Sequence, residues 1–205
     1  MSFYSKLLCS LFLLSACAPK TQMALSAQQE QMVLKRSREA STALMSQLKT
    51  QLKAAIQQQG TAGAVTTCST IAPALAQQVG QAQGLEIHRV STKNRNPQGI
   101  PDSFETKALQ GWTQYPVADV KGPEEVYGVE IEKGEPVFRY TRAIRIQPAC
   151  LQCHGQNIQP EVKAAIQTHY PEDQAVGYQL NELRGAVSTR IALNELLSDE
   201  EQVEH

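Results

Sequence analysis

The sequence is poor in aromatic residues and has almost no excess of either charge. Phe, Trp and Tyr make up 5% of the 205 residues, and the formal net charge is −1 at pH 7. Nucleic acid is bound through a surplus of Lys and Arg, so we expect no nucleic-acid partner. No apolar run reaches the ~18 residues that a membrane-spanning helix needs. The length fits one domain with an N-terminal extension.

Residues 1–16 are typical of a bacterial lipoprotein signal peptide. Lys6 precedes an apolar run, 7–14, that is too short to span a bilayer but suits a signal-peptide core. The run ends in LSAC, which resembles a lipobox, so Cys17 is predicted to carry the lipid; an ordinary signal peptide is the alternative. We expect the protein on the periplasmic face of a bacterial membrane, held by this lipid alone. Pro19 rather than an aspartate follows shortly after, which slightly favours the outer membrane.

Apolar periodicity predicts a long N-terminal helix after a polar tether. Residues 17–39 are read as the tether and the start of this helix. Its apolar stripe repeats every four residues and comprises Leu44, Leu48, Leu52 and Ile56. Gly60 and Gly63 are predicted to break the helix. A second helix is expected from about Ala64 to Val79, with Pro73 bending it or shifting its start.

The rest of the chain alternates between short strands and short helices. Alternating residues in GLEIHRVS and LRGAVSTRIAL predict strands. A separate β-hairpin is predicted in the sequence between these two segments, with its turn at Lys133 and Gly134. Short helices are expected up to Trp112, capped by Asp102 or Ser103, and over 160–170. The fold class predicted is α+β, with an antiparallel sheet flanked by helices. The domain is placed at 40–195, followed by an acidic tail at 196–205.

The stretch CLQCHG, residues 150–155, is the strongest chemical signal. A c-type haem needs two thiols that reach its vinyl groups and a histidine that binds the iron, and Cys-x-x-Cys-His supplies all three. A structural zinc site needs four ligands, and the remaining cysteine and histidines form no spaced pair. A redox disulfide is expected within a βαβ unit, which is absent from the pattern. We therefore predict one haem c attached at Cys150 and Cys153, with His154 as an axial ligand.

The second axial ligand is less obvious from the residues alone. Methionine is a common choice, but no methionine follows Met45. His169 lies on the apolar face of its helix and His88 on a strand, so both are read as hydrogen-bonded or surface side chains. Cys68 is the unpaired thiol of an exported chain, and it is either a small buried hydrophobe or a thiolate ligand of the iron.

Four blocks of the sequence, in this order and spacing, resemble a bacterial family of PAS-like domains that carry a single c-type haem. The blocks are TTCSTIAPALA (66–76), VSTKNRNPQGIPDSFE (90–105), FRYTRAIRIQPACLQCHG (138–155) and GYQLNELRGAVS (177–188). The family has been catalogued as a domain of unknown function. Its members occur as exported proteins and as sensory modules of histidine kinases. The resemblance covers roughly residues 40 to 193.

The resemblance implies a PAS-like sheet and a haem bound at Cys150 and Cys153, with His154 and Cys68 as iron ligands. Two positions depart from the family pattern: Gly99 stands where Asn is usual, and Asn181 replaces a glycine. Neither is a ligand position.

Three functions compete at this point. A redox or gas sensor would exchange a ligand at the iron and needs a signalling partner, whereas a periplasmic electron-transfer cytochrome needs little change at the iron. A haem peroxidase needs a distal acid–base pair, which the sequence does not reveal, so we expect no enzyme. Arg89, Arg95 and Arg139 are candidates for offsetting the charge of the haem propionates.

Overall fold

The computed structural model describes residues 25–113 and 124–194. Within these ranges the chain has four α-helices and a four-stranded antiparallel sheet. Their order is α1 (Ala27–Gln83), β1 (Glu86–Val90), α2 (Ser103–Thr113), β2 (Glu125–Glu132), β3 (Glu135–Arg145), α3 (Leu151–His154), α4 (Pro160–His169) and β4 (Leu183–Ala192). The predicted α+β class, with an antiparallel sheet flanked by helices, is confirmed. None of the described helices combines the length and the apolar character that crossing a bilayer requires.

Helix α1 is a helical hairpin. It begins with a capping box, in which Ser26 and Gln29 exchange side-chain-to-backbone hydrogen bonds. Gly60 interrupts it with φ +71°, a conformation that glycine adopts without steric cost. Leu44 packs in one apolar cluster with Val79, which lies similarly far beyond Gly60, so the segments 27–59 and 61–83 run antiparallel. The break predicted at Gly60 is therefore present.

The second predicted break, at Gly63, is absent, and the second helix does not begin at Pro73. Gly63 and Pro73 both lie inside the second helical segment, whose backbone stays helical. The segment also begins earlier and ends later than the predicted 64–79, because tertiary packing outweighs the weak helix propensity of single residues. It ends at Gly84, which has φ +60°.

The sheet has the strand order β1-β4-β3-β2, and each of its faces is covered by a different helix. The α1 hairpin covers one face, where its side chains pack with Ile87, Val187, Phe138, Tyr140 and Ile191. Helix α2 covers the other face through Trp112 and Leu109, which pack on Val90 and Ala186. The predicted hairpin turn at Lys133 and Gly134 is present, with φ +53° and +90°. Asn181 has φ +66°, which suits the glycine that the family usually has there.

A buried ionic cluster lies between α2 and the sheet. Arg139 contacts Asp102 at 2.6 Å, Glu132 at 2.7 Å and Glu105 at 3.5 Å. The side chain of Glu105 is 1% exposed, and its carboxylate lies 2.9 Å from Nε2 of His88. Burial raises the pKa of Glu105, but hydrogen bonds from His88, from Ser188 and from the Asp102 backbone outweigh it and hold the pKa at about 2.

Four of the predicted segments lie at least partly outside the described residues. The signal peptide 1–16 and Cys17 are wholly outside, and so is the acidic tail 196–205. The tether 17–39 is described only from residue 25, and it is helical from Ala27 onward. The domain limits 40–195 stay a prediction.

The ionic cluster predicts an acid-sensitive stability. A carboxyl whose pKa is lowered by folding stabilises the protein above its usual pKa of 4.5, and this contribution disappears as the pH falls towards 2. In urea unfolding we expect wild type to lose roughly 2–3 kcal/mol more than Glu105→Gln between pH 6 and pH 2.5. Glu161→Gln, on the exposed first turn of α4, is the control and should follow wild type. Identical pH slopes for wild type and Glu105→Gln would contradict the assignment.

Candidate functional site

The CLQCHG stretch forms one compact helical turn directly after β3. A 3-10 turn spans Pro148–Cys150 and continues into α3, so Cys150, Cys153 and His154 follow one another around a single turn. All three side chains are half-buried. The backbone N–H of Gly155 closes the turn by donating to the Leu151 carbonyl at 3.0 Å. A Cβ at position 155 would lie 2.5 Å from that oxygen, so the glycine after His154 is a steric requirement.

The imidazole of His154 is oriented and neutral. Its Nδ1 donates a hydrogen bond to the Ala175 carbonyl oxygen at 2.7 Å, so the lone pair is on Nε2. Burial, followed by the charges of Arg184 and Arg95, lowers the pKa of His154 to about 2. A neutral ring whose other nitrogen is fixed by a hydrogen bond is the usual state of a histidine that binds a metal ion.

Arg95 holds the peptide around this histidine in place. Its guanidinium donates to both carboxylate oxygens of Asp173, at 3.0 and 3.1 Å. The same group donates to the carbonyl oxygens of Cys153, at 2.7 Å, and Ala175, at 3.3 Å. Because the Ala175 carbonyl also accepts the His154 proton, Arg95 fixes both the turn and the acceptor that orients the ring. Of the candidate propionate partners, Arg95 is thus already paired, and Arg139 lies in the cluster beside α2.

Cys68 faces the same site from the second segment of α1. Burial raises the pKa of its thiol, and the charges of Arg89 and Arg95 oppose that rise. Burial also raises the pKa of Cys153, where the charge of Cys68 adds to the effect. Cys68 therefore lies within electrostatic reach of Cys153 and of the turn that carries His154.

The packing of α4 places Cys68 there. Val162 and Ile166 of α4 are buried against Val65, one helical turn before Cys68, and Cys153 packs against the same cluster. The apolar face of α4 thus joins the α1 hairpin to the motif.

The alternative ligands lie elsewhere or have other partners. Nε2 of His169 is 2.8 Å from the Thr66 hydroxyl, and His88 pairs with Glu105. Met45 packs in the cluster between α1 and the sheet. The three cysteines Cys68, Cys150 and Cys153 are free thiols. Among the described residues no group of three or more His, Cys, Asp or Glu side chains could hold a metal ion, whereas a zinc site needs four such ligands and a haem iron only one or two.

Sequence reasoning missed Asp173, Arg184 and Tyr170 as members of the site. Tyr170 lies near Cys68: burial raises the pKa of its hydroxyl, and the charge of Cys68 raises it further. Of these three residues, only Arg184 could have been noticed in the sequence, because its charge interrupts the apolar alternation at the start of β4.

Loss of Arg95 should loosen the turn around His154. Removal of one partner from a buried ion pair leaves an uncompensated charge, so we expect Arg95→Gln to lower the free energy of unfolding by about 3–5 kcal/mol. Arg142→Gln is the matched control, because the hydrogen bond that Arg142 donates within the described residues goes to an exposed Thr42 hydroxyl at 3.3 Å. Hydrogen exchange locates the effect: the amides of Gly177 and Tyr178, which donate to Gly155 and His154, should lose protection. Unchanged protection in Arg95→Gln would contradict this role.

The comparisons with known proteins agree with this fold. No curated protein sequence matches the chain. Among solved structures, the chain is similar to the crystal structure of the cyanobacterial haem protein Tll0287, with 22% sequence identity and a TM-score of 0.58 over 82% of this chain and 97% of that one. At this identity the likeness shows a shared fold. The Tll0287-like family model matches residues 20–192. The predicted family resemblance is thereby confirmed, and the chain belongs to the Tll0287-like family.

Proposed function

We propose that this protein is an exported, lipid-anchored monohaem c-type cytochrome that acts as a redox or gas-responsive sensor. The observation that carries the proposal is the single helical turn that presents Cys150, Cys153 and an oriented, neutral His154 imidazole, with Cys68 within electrostatic reach of Cys153. The haem content of the relative Tll0287 supports the same assignment. Cys17 would carry the lipid on the periplasmic face of the membrane.

Each residue of the site has a separate role in this proposal. Cys150 and Cys153 form the two thioether bonds, and their positions on one helical turn suit attachment along one edge of a porphyrin. Nε2 of His154 and the sulfur of Cys68 would hold the iron. A haem iron between imidazole and thiolate supplies one-electron chemistry, and the thiolate charge favours its ferric state.

The different anchoring of the two axial ligands favours a sensor. His154 is held by Ala175 and, through it, by Arg95. Within the described part of the chain, the sulfur of Cys68 has no hydrogen-bond partner. Cys68 is therefore the less firmly held of the two side chains, and its movement would act on the α1 hairpin, which covers one face of the sheet.

An electron-transfer cytochrome is the second candidate. It is favoured by the exposure of residues 147–149 and of Gln152, which surround the attachment cysteines and would leave one haem edge near the surface. In that case Cys68 stays bound in both oxidation states.

The attachment cysteines give the first test. In a host that matures c-type cytochromes, we expect the Cys150→Ala/Cys153→Ala protein to lose the covalent haem that wild type retains on a denaturing gel. Intact mass spectrometry should show loss of one haem, while the lipid mass on the N-terminal peptide stays as evidence of export. Cys68→Ala is the control, since it keeps both thioether bonds. Haem that stays attached in the double variant would refute the attachment.

The axial role of Cys68 gives the second test. Cys68→Ala should change the ferric absorption and paramagnetic resonance spectra, because a thiolate ligand is lost from the iron. His169→Ala is the control, as His169 bonds to Thr66 and should leave both spectra unchanged. A ferric Cys68→Ala spectrum identical to wild type would exclude Cys68 as a ligand.

Carbon monoxide separates the two candidate functions. Rapid binding to the ferrous wild-type protein would support the sensor, because it requires that Cys68 has left the iron. Absence of binding, together with fast electron exchange with other cytochromes, would support the carrier instead.

A further inference from the structure

The site holds more positive charge than its own carboxylates neutralise. Arg89, Arg95 and Arg184 all act electrostatically on the pKa of His154. Arg95 donates to the Cys153 carbonyl, and Arg184 lies over the Tyr178 ring that contacts His154. Among the described residues, one carboxylate, that of Asp173, forms an ion pair with one of these arginines, Arg95. The three arginines alone leave a formal excess of two positive charges, and the exposed Lys93 adds another at the edge of the site, 4.4 Å from the centre of the Tyr178 ring. Such an arrangement costs stability unless anions are bound there.

Arg89 is the first of the two unpaired guanidinium groups. It follows Ile87 on β1, on the sheet face that the α1 hairpin covers. Among the described residues its side chain forms no hydrogen bond and no ion pair. Burial lowers its pKa while Tyr170 and Cys68 oppose the shift, yet its side chain is exposed. Both observations hold for a side chain that is surrounded by protein and opens into a cleft beside Cys68.

Arg184 carries the second guanidinium group that forms no ion pair among the described residues. It lies near the start of β4, and its Nη1 donates to the Lys93 carbonyl oxygen at a long 3.3 Å. Its guanidinium carbon lies 5.7 Å from the centre of the Tyr178 ring, and that ring contacts His154 edge-on at 6.3 Å. Burial lowers the pKa of Arg184; Tyr178 opposes this, and Arg95 and Arg89 lower it further. Within the described ranges no carboxylate forms an ion pair with it.

We propose that Arg89 and Arg184 form a dicarboxylate-binding end of the cleft and receive the two propionates of the haem. The inference rests on the proposed function, because it supposes that the haem is attached at Cys150 and Cys153. Two propionates match the two guanidinium groups that form no ion pair among the described residues. Guanidinium groups bind carboxylates through paired, charge-assisted hydrogen bonds, which neither arginine makes within the described protein. Arg95 is a positioning residue and not part of this end.

The reduction potential tests the inference. Removal of a cation that neutralises a propionate makes the iron site more negative and disfavours the ferrous state. We expect Arg89→Gln and Arg184→Gln each to weaken reduction about tenfold, equivalent to about 59 mV for one electron. Arg142→Gln removes the same charge elsewhere on the sheet and should leave the potential close to that of wild type. Arg89→Lys and Arg184→Lys, which keep the charge, should recover most of the loss.

The pH dependence of the potential is the second readout. With the propionates ionised by two arginines, the wild-type potential should be flat between pH 5 and pH 8. In each Gln variant a propionate should titrate in this range, so the potential should fall as the pH rises. Equal potentials and equal pH profiles in wild type, both Gln variants and Arg142→Gln would overturn the inference. A wild-type potential that depends on added phosphate would also overturn it, since a soluble anion would then occupy the site.

Failure of the inference is distinct from failure of the proposed function. Covalent haem staining of each variant reports attachment, and the ferric spectrum reports the axial ligands; neither should change in the Gln variants. If a Gln variant does not accumulate, infrared difference spectra of wild type with ¹³C-labelled propionates still decide the question. Carboxylates that stay ionised below their ordinary pKa range of about 4–5 support the two arginines, and carboxylates that protonate within that range contradict them.

Discussion

The buried guanidinium of Arg95 is the group on which the geometry of the site depends. It binds Asp173 with two hydrogen bonds and also donates to the carbonyl oxygens of Cys153 and Ala175. A buried guanidinium has several donors to satisfy, so its acceptors are held together at fixed distances. The loop of Arg95, the cysteine turn and the segment around Asp173 thereby become one rigid unit, and the orientation of the His154 ring follows from it.

Cys68 reaches the site by a different physical route. The hairpin at Gly60 reverses the direction of α1, and the apolar face of α4 packs on Val65 close to the cysteine. Apolar packing fixes a helix less specifically than directed hydrogen bonds fix a turn, because dispersion contacts have little directionality. The imidazole side is therefore stiff and the thiol side compliant, an asymmetry that suits the proposed release of Cys68 while His154 stays in place.

Local patterns in the sequence predicted the parts of the site that are local in the structure. The spacing of Cys150, Cys153 and His154 corresponds to one helical turn, and alternation located the strands and the turn at Lys133. The break at Gly60 followed from its conformational freedom, whereas Gly63 and Pro73 stayed helical under tertiary packing. The partner of each arginine could not be predicted from the sequence, because Arg89, Arg95 and Arg139 show no difference in local pattern that reveals their tertiary contacts. Only the fold shows that Arg95 meets Asp173, that Arg139 meets the carboxylates beside α2, and that Arg89 meets neither.

The two groups of arginines, one beside α2 and one near His154, carry opposite charge balances. On the α2 face, Arg139 lies within 4 Å of four carboxylates, those of Asp102, Glu105, Glu130 and Glu132. Near His154, three arginines share one carboxylate. An arginine with surplus carboxylates is explained by folding alone, since each buried charge has a partner. Clustered guanidinium groups without partners destabilise the bare protein, and departures of this kind are typical of sites that bind a ligand. The charge that the fold leaves unbalanced therefore points to an anionic group bound between α1 and the cysteine turn.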